Sequence, residues 1–114
     1  MIIGTLKEKK KFENRVAISP DEVKSYLKSG HQVLIEKGAG SLSGFTDKSY
    51  KEAGATITNS KEVLKTSEII IKINCPSPEE SKLINNKAMV VSQISTQNNQ
   101  ESIKILNSRK VSAF

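Results

Sequence analysis

Two cations stand where α/β proteins place groups that touch ligands. Arg15 lies in Glu13-Asn14-Arg15-Val16-Ala17-Ile18-Ser19-Pro20, between a short apolar opening run and a helix with clear start signals. Ser19 is suited to cap that helix, Pro20 fits its first turn, and Glu22 completes a Ser-x-x-Glu capping box. Arg15 therefore belongs to the connection that leaves the carboxyl end of the first strand, the edge where open α/β sheets bind ligands. Lys72 interrupts the apolar run Ile69-Ile70-Ile71-Lys72-Ile73. A lysine near the end of a buried strand pairs with an anion, has its pKa pulled down, or snorkels past the end of the sheet. Both cations leave carboxyl ends of strands in this register. Convergence on one rim would suit a small carboxylate or phosphate.

Other residue patterns carry less chemistry. Gly38-Ala39-Gly40-Ser41-Leu42-Ser43-Gly44 follows a strand and precedes a helix, which invites a dinucleotide reading. Its G-x-G-x-x-x-G spacing is one residue longer than the commonest fingerprint. The helix also starts late, at Asp47, and the next strand ends in Asn59 rather than in an acid that could hold a ribose. A loop needing positive φ is the simpler account of these glycines. His31 follows Gly30 at a helix end, where its charge suits the helix dipole. Cys75 has no base near it in sequence, so it is read as a packed thiol and not as a nucleophile. One cysteine and one histidine leave no metal-ligand set and no internal disulfide, and a reducing, cytoplasmic setting is expected.

The elements that position these residues follow from periodicity. Short β-rich runs at 1–6, 32–35, 56–58, 69–73, 88–94 and 110–114 alternate with helical patterns at 20–28, 47–53, 61–64, 78–83 and 100–107. Gly30 and Gly54 follow helical runs as C-terminal caps, and Ser77-Pro78-Glu79-Glu80 repeats the Ser-Pro-x-Glu opening of the first helix. In the first helix Val23, Tyr26 and Leu27, with Ile18 one turn earlier, form the buried stripe. Ile69-Ile70-Ile71 and Met89-Val90-Val91 are apolar on both faces, as strands covered from both sides require. The fold class expected is α/β: a doubly wound, mostly parallel sheet with helices on both faces, flavodoxin- or Rossmann-like. The last strand is an edge strand, or else the natural protein continues beyond Phe114.

At 114 residues the chain fits a single domain with one core. No apolar run approaches the roughly 20 residues of a membrane-spanning helix. The net charge of +6 raises the question of nucleic acid, but Lys7, Lys9, Lys10 and Lys11 form the only dense run and no aromatic interleaves it. A solvated lysine loop accounts for it, and no nucleic-acid partner is expected.

With these residues assembled, the chain resembles the N-terminal domain shared by alanine dehydrogenase and the alpha subunit of the proton-translocating nicotinamide nucleotide transhydrogenase. The matching signatures are Lys7-Glu8, residues 13–20, Gly30-His31-Gln32-Val33, Glu36-Lys37-Gly38-Ala39-Gly40, Gly44-Phe45-Thr46-Asp47, Tyr50, Ala53-Gly54-Ala55 and Lys72. The resemblance implies that Arg15 and Lys72 match positions that hold the substrate carboxylate and carbonyl in alanine dehydrogenase. Alanine dehydrogenases resemble one another in a catalytic histidine on the strand after Lys87. Here that stretch reads Ser92-Gln93-Ile94-Ser95, with Ser95 at the equivalent position. Val91-Ser92-Gln93-Ile94 and Gln97-Asn98 are instead similar to transhydrogenase alpha subunits. The resemblance thus implies the N-terminal part of an NAD(P) transhydrogenase alpha subunit, passing hydride between NADH and NADP while protons are translocated. Alanine dehydrogenase and a non-catalytic subunit-interaction domain are the alternatives. Residues 1–114 are expected to form an incomplete N-terminal domain, with the NAD-binding domain beyond it. NAD and NADP would belong to the complete enzyme, with none held by this chain alone, which is expected to be inactive. The partners implied are the rest of the alpha subunit and membrane-embedded transhydrogenase subunits, in a homodimer peripheral to the inner membrane.

Overall fold

Two capping boxes and a set of apolar β-branched runs divide the chain into alternating strands and helices. In the computed structural model, which describes residues 1–93 and 98–114, the strands are β1 (Ile2–Thr5), β2 (Gln32–Glu36), β3 (Thr56–Thr58), β4 (Ile69–Asn74), β5 (Met89–Gln93) and β6 (Ser112–Ala113). The helices are α1 (Pro20–Lys28), α2 (Asp47–Ala53), α3 (Ser60–Thr66), α4 (Pro78–Leu83) and α5 (Gln100–Ser108), with a short 3-10 turn at Ser41–Ser43. Ser95, the expected counterpart of the catalytic histidine, lies outside the described residues.

Ser19 accepts a hydrogen bond from the Glu22 N–H while the Glu22 carboxylate accepts from the Ser19 N–H, so the first capping box forms in full. Ser77 and Glu80 do the same at α4. Asn59, which closes β3 in sequence, caps α3 by accepting from the Glu62 N–H. Gly54 ends α2 at φ +107°, and a β-carbon there would lie 2.3 Å from Leu27 Cδ1. The positive φ calls for glycine there, and any β-carbon would also have to displace the tip of Leu27.

All pairings are parallel, and the strand order is β3-β2-β1-β4-β5-β6. That order is the doubly wound one in which the chain reverses direction across the sheet between β1 and β4. Helices cover both faces. On one side Ile3, Val33 and Ile35 pack with Val23 of α1 and with Tyr50 and Ala53 of α2. On the other, Leu6, Ile70 and Val90 pack with Val63 and Leu64 of α3 and Leu106 of α5. Ile70 joins the second group while Ile69 and Ile71 pack against the first, as a strand buried on both faces must. At β5 the cover is one-sided: Val90 is fully buried, but Met89 and Val91 are 38% and 39% exposed. The expectation of two covered faces fails for that strand. β6 is a short edge strand paired to β5.

The long connection from β1 to α1 is pinned at three places. Tyr50, fully buried, donates its hydroxyl to the Ile18 carbonyl at 2.7 Å. The Ser43 hydroxyl donates to the Asn14 carbonyl, and Asn74 donates to Glu13. Burial first, then the charges of Glu22 and Asp47, pushes the Tyr50 phenol up to about 12, so it stays a neutral donor. Replacing Tyr50 by Phe leaves a buried carbonyl without its partner, and urea unfolding should show a loss of about 1–2 kcal/mol. No measurable loss would mean that this tether carries no weight.

Candidate functional site

The site lies at the carboxyl ends of β1 and β4, the crevice that this strand order opens. A cleft of about 540 Å³ is lined there by Glu8, Lys9, Lys72, Cys75 and Glu80, among others. Its floor is a buried ionic triad. The Lys72 ammonium is 3.3 Å from Glu80 Oε1 and 3.8 Å from Glu8 Oε1, and the three side chains are 3%, 5% and 2% exposed in that order. Lys72 is thus neutralised by two carboxylates that arrive from different elements, Glu8 from just past β1 and Glu80 from α4.

Neither carboxylate is free to drift. Glu8 accepts the Ile73 and Asn74 N–H groups at 3.0 and 3.1 Å, tying the exit of β1 to the end of β4. Glu80 Oε1 accepts the Ser77 N–H as part of the α4 capping box while it faces Lys72. Its second oxygen stands 3.9 Å from the exposed Lys9 ammonium. Two carboxylates against one buried lysine leave an excess negative charge that Lys9 and these N–H donors offset.

Arg15 sits on the same end of the sheet, beyond Glu8. Its Nε and Nη2 donate to the two Glu13 oxygens at 2.8 and 2.9 Å, a bidentate fork that leaves Nη1 outside the pair. The Arg15 side chain is 63% exposed and that of Glu13 only 10%. The Arg15 guanidinium, and then the Asn74 amide, hold the Glu13 carboxyl down from 4.5 to about 2. The sequence places Arg15 and Lys72 on strand ends; the structure sets both at the carboxyl end of the sheet, linked through Glu13, Asn74 and Glu8. It also pairs Arg15 with one carboxylate and Lys72 with two.

The remaining candidates fall elsewhere or play other parts. The Met1 ammonium lies 3.1 Å from His31 Nδ1, at the amino end of the sheet and away from the cleft. Cys75, expected to be packed, lines the cleft half-buried, and burial pushes its thiol above the usual range. Lys7, Lys9, Lys10 and Lys11 are exposed, with the Lys11 ammonium 5.2 Å from the Phe12 ring.

The glycine loop does not fit a dinucleotide. The Gly38 N–H, which would face a phosphate in such a motif, donates to Asp47 at 2.9 Å. Gly40 has φ −94°, and a β-carbon there would meet Tyr50 and Phe45 at 2.7 and 2.8 Å. That glycine makes room for an aromatic side chain rather than for a pyrophosphate. Among the described residues no group of acids, histidine and cysteine could hold a metal ion, and no helix is long and apolar enough to cross a membrane.

Sequence reasoning missed the carboxylates. Glu80 was visible only as a capping residue and Glu8 and Glu13 only as neighbours of lysine and arginine. A lysine in a buried strand already demanded an acid, and an acid fixed by a capping box just after that strand was the signal available.

Comparison with known proteins places this geometry in context. Residues 4–114 match the family model described as alanine dehydrogenase/PNT, N-terminal domain. The chain is 40% identical over its whole length to an alanine dehydrogenase from Methanococcus maripaludis, of which it covers 31%. It is 38% identical, again over its whole length, to an NAD(P) transhydrogenase subunit alpha from Haemophilus influenzae, of which it covers 22%. The chain therefore spans less than a third of these curated relatives. The crystal structure of a transhydrogenase from Sinorhizobium meliloti superposes with a TM-score of 0.93 at 31% identity, covering all of this chain and 34% of that one.

The buried triad and the Arg15–Glu13 fork each set an expected outcome. Lys72→Met leaves two buried carboxylates without their cation and should cost about 3–5 kcal/mol in chemical denaturation; a cost under about 1 kcal/mol would refute the buried triad. Glu13 binds fewer protons in the folded chain than in the unfolded one. Its contribution is therefore complete above pH 4.5 and disappears as pH falls from there through about 2. Arg15→Ala should flatten the acid limb of stability over that window, and an unchanged limb would count against the Arg15–Glu13 fork.

Proposed function

The chain belongs to the alanine dehydrogenase/PNT N-terminal domain family, a family of oxidoreductases, and from that premise we propose that it is the N-terminal portion of an NAD(P) transhydrogenase alpha subunit. One observation carries the choice. The only histidine of the sequence, His31, is engaged with the N-terminal ammonium at the amino end of the sheet, so the carboxyl-end cleft has no imidazole from this chain. The histidine that the resemblance assigns to alanine dehydrogenases has Ser95 at its place. In this reading the chain forms one wall of the crevice in which hydride passes between NADH and NADP, and both nucleotides are held by other parts of the complete enzyme. The wall's own chemistry is electrostatic: Lys72, buried between Glu80 and Glu8, and Arg15, forked to Glu13, are fixed cations at the strand ends. The complete complex would join this wall to the rest of the alpha subunit and to membrane-embedded subunits that translocate protons. It would be a homodimer on the cytoplasmic side of the inner membrane.

The cation pair itself favours a second reading, alanine dehydrogenase. There Arg15, with Nη1 outside its fork, and Lys72 would hold the carboxylate and carbonyl of a small oxoacid.

Assay of the full-length gene product that contains this chain separates the two. Transfer of hydride from NADH to NADP, with no alanine-dependent reduction of NAD, is expected. Alanine-dependent NAD reduction would overturn the transhydrogenase reading. Calorimetric titration of the 114-residue chain with NADH should show no binding, and micromolar affinity would overturn the assignment of the nucleotide to other parts.

A further inference from the structure

One carboxylate beside each cation, Glu13 for Arg15 and Glu8 for Lys72, meets a single amide. Asn74 Nδ2 lies 3.1 Å from Glu13 Oε1 and 3.3 Å from Glu8 Oε1. A side-chain amide nitrogen carries two hydrogens, so one goes to each carboxylate. Glu13 in turn grips Arg15, and Glu8 faces Lys72.

The backbone is shaped to aim this amide. From Ile71 to Asn74 β4 advances three residues, while its partner β5 advances two, from Val91 to Gln93. One extra residue in β4 makes a bulge, a device that re-aims a side chain and recurs next to functional sites. The main chain also divides the labour. Glu8 is anchored by the Ile73 and Asn74 N–H groups whatever side chain stands at position 74, whereas Glu13 reaches β4 through the Asn74 amide. The side chain therefore fixes Glu13 against a Glu8 that the backbone already holds, and so sets the distance between the two carboxylates.

We propose that Asn74 is a positioning residue, which sets the spacing of Arg15 and Lys72 at the carboxyl end of the sheet by giving one amide hydrogen to Glu13, the carboxylate behind Arg15, and the other to Glu8, one of the two carboxylates on Lys72. Its functional meaning rests on the second reading above, in which Arg15 and Lys72 form an anion-holding wall for a small oxoacid. Leucine has nearly the shape of asparagine without its donors and leaves Glu13 to Arg15 alone. Aspartate brings a third carboxylate against the other two.

The test is a carbon-detected NMR titration of the Glu13 carboxyl in the 114-residue chain, with the Arg15 Nε–H followed in the same samples. In Asn74→Leu the Glu13 midpoint should rise by roughly one pH unit, and the Arg15 Nε–H should exchange faster with water. Asn74→Asp should raise the midpoint further. A folded Asn74→Leu chain with an unchanged Glu13 midpoint and unchanged Arg15 exchange overturns the proposal. Where that variant fails to fold, the wild-type chain decides: the two Asn74 amide protons should be protected and should shift as Glu13 titrates, and free-amide exchange with no such shift overturns it. Pyruvate is a separate probe of the cleft. It should move the Arg15 and Lys72 signals together in the wild type and bind about tenfold more weakly to Asn74→Leu, the scale of one charge-assisted hydrogen bond. Equal affinity in the two chains overturns the spacing role. Failure of pyruvate to bind the wild type overturns the anion-wall reading instead, and the Glu13 titration then judges Asn74 alone.

Discussion

A lysine can close a buried parallel strand only if carboxylates come to meet it, because a lone ammonium out of water costs several kcal/mol. That constraint shapes the whole carboxyl end of this sheet. Glu8 must leave β1 in a direction that brings it under β4, and α4 must begin where its capping glutamate faces Lys72. The two requirements fix the relative placement of three elements that are distant in sequence. The same glutamates satisfy backbone donors at the ends of β4 and α4, so electrostatic and hydrogen-bond needs are met by one set of atoms.

From that anchor the long connection between β1 and α1 takes its form. Residues 6–19 contain no glycine and four exposed lysines, and the Glu13 N–H donates to the Lys10 carbonyl to close a turn within them. Phe12, 89% exposed at φ +68°, marks the bend where the chain turns back. Beyond it Glu13 docks on Asn74, Ser43 holds Asn14, and Tyr50 holds Ile18. Each tether comes from a different element, and together they hold the chain where α1 starts at Pro20. Local capping signals and long-range pinning agree on that start, the consistency expected of a sequence with one preferred fold.

The fold was legible because its signals are local. Capping boxes at Ser19 and Ser77, the glycine stop at Gly54 and the triple-isoleucine run of β4 each depend on a few neighbouring residues, and each appears where periodicity places it. The two cations were legible as types at strand ends. What escaped was pairing. That Lys72 meets Glu8 across 64 positions of sequence, or that Asn74 sits between Glu8 and Glu13, depends on strand order and on a bulge, neither of which leaves a periodic trace. The bare face of Met89 and Val91 escaped for a related reason: an apolar run states that a face can be buried, not what lies over it.

Strand order alone would have misled in one respect. The order seen here is that of dinucleotide-binding domains, in which a glycine-rich turn directly after the first strand cradles a pyrophosphate. In this chain the first turn has become a long charged loop, and the switch point is filled by Glu8, Lys72 and Glu80 instead of by backbone N–H groups facing a phosphate. The glycines come one unit later, after β2, and there Asp47 and Tyr50 fill the space that a phosphate and a close helix would need. The same topology thus offers side-chain charge where its nucleotide-binding counterparts offer main-chain dipoles. What a switch point of this topology can bind is set by the groups placed there and not by the order of the strands.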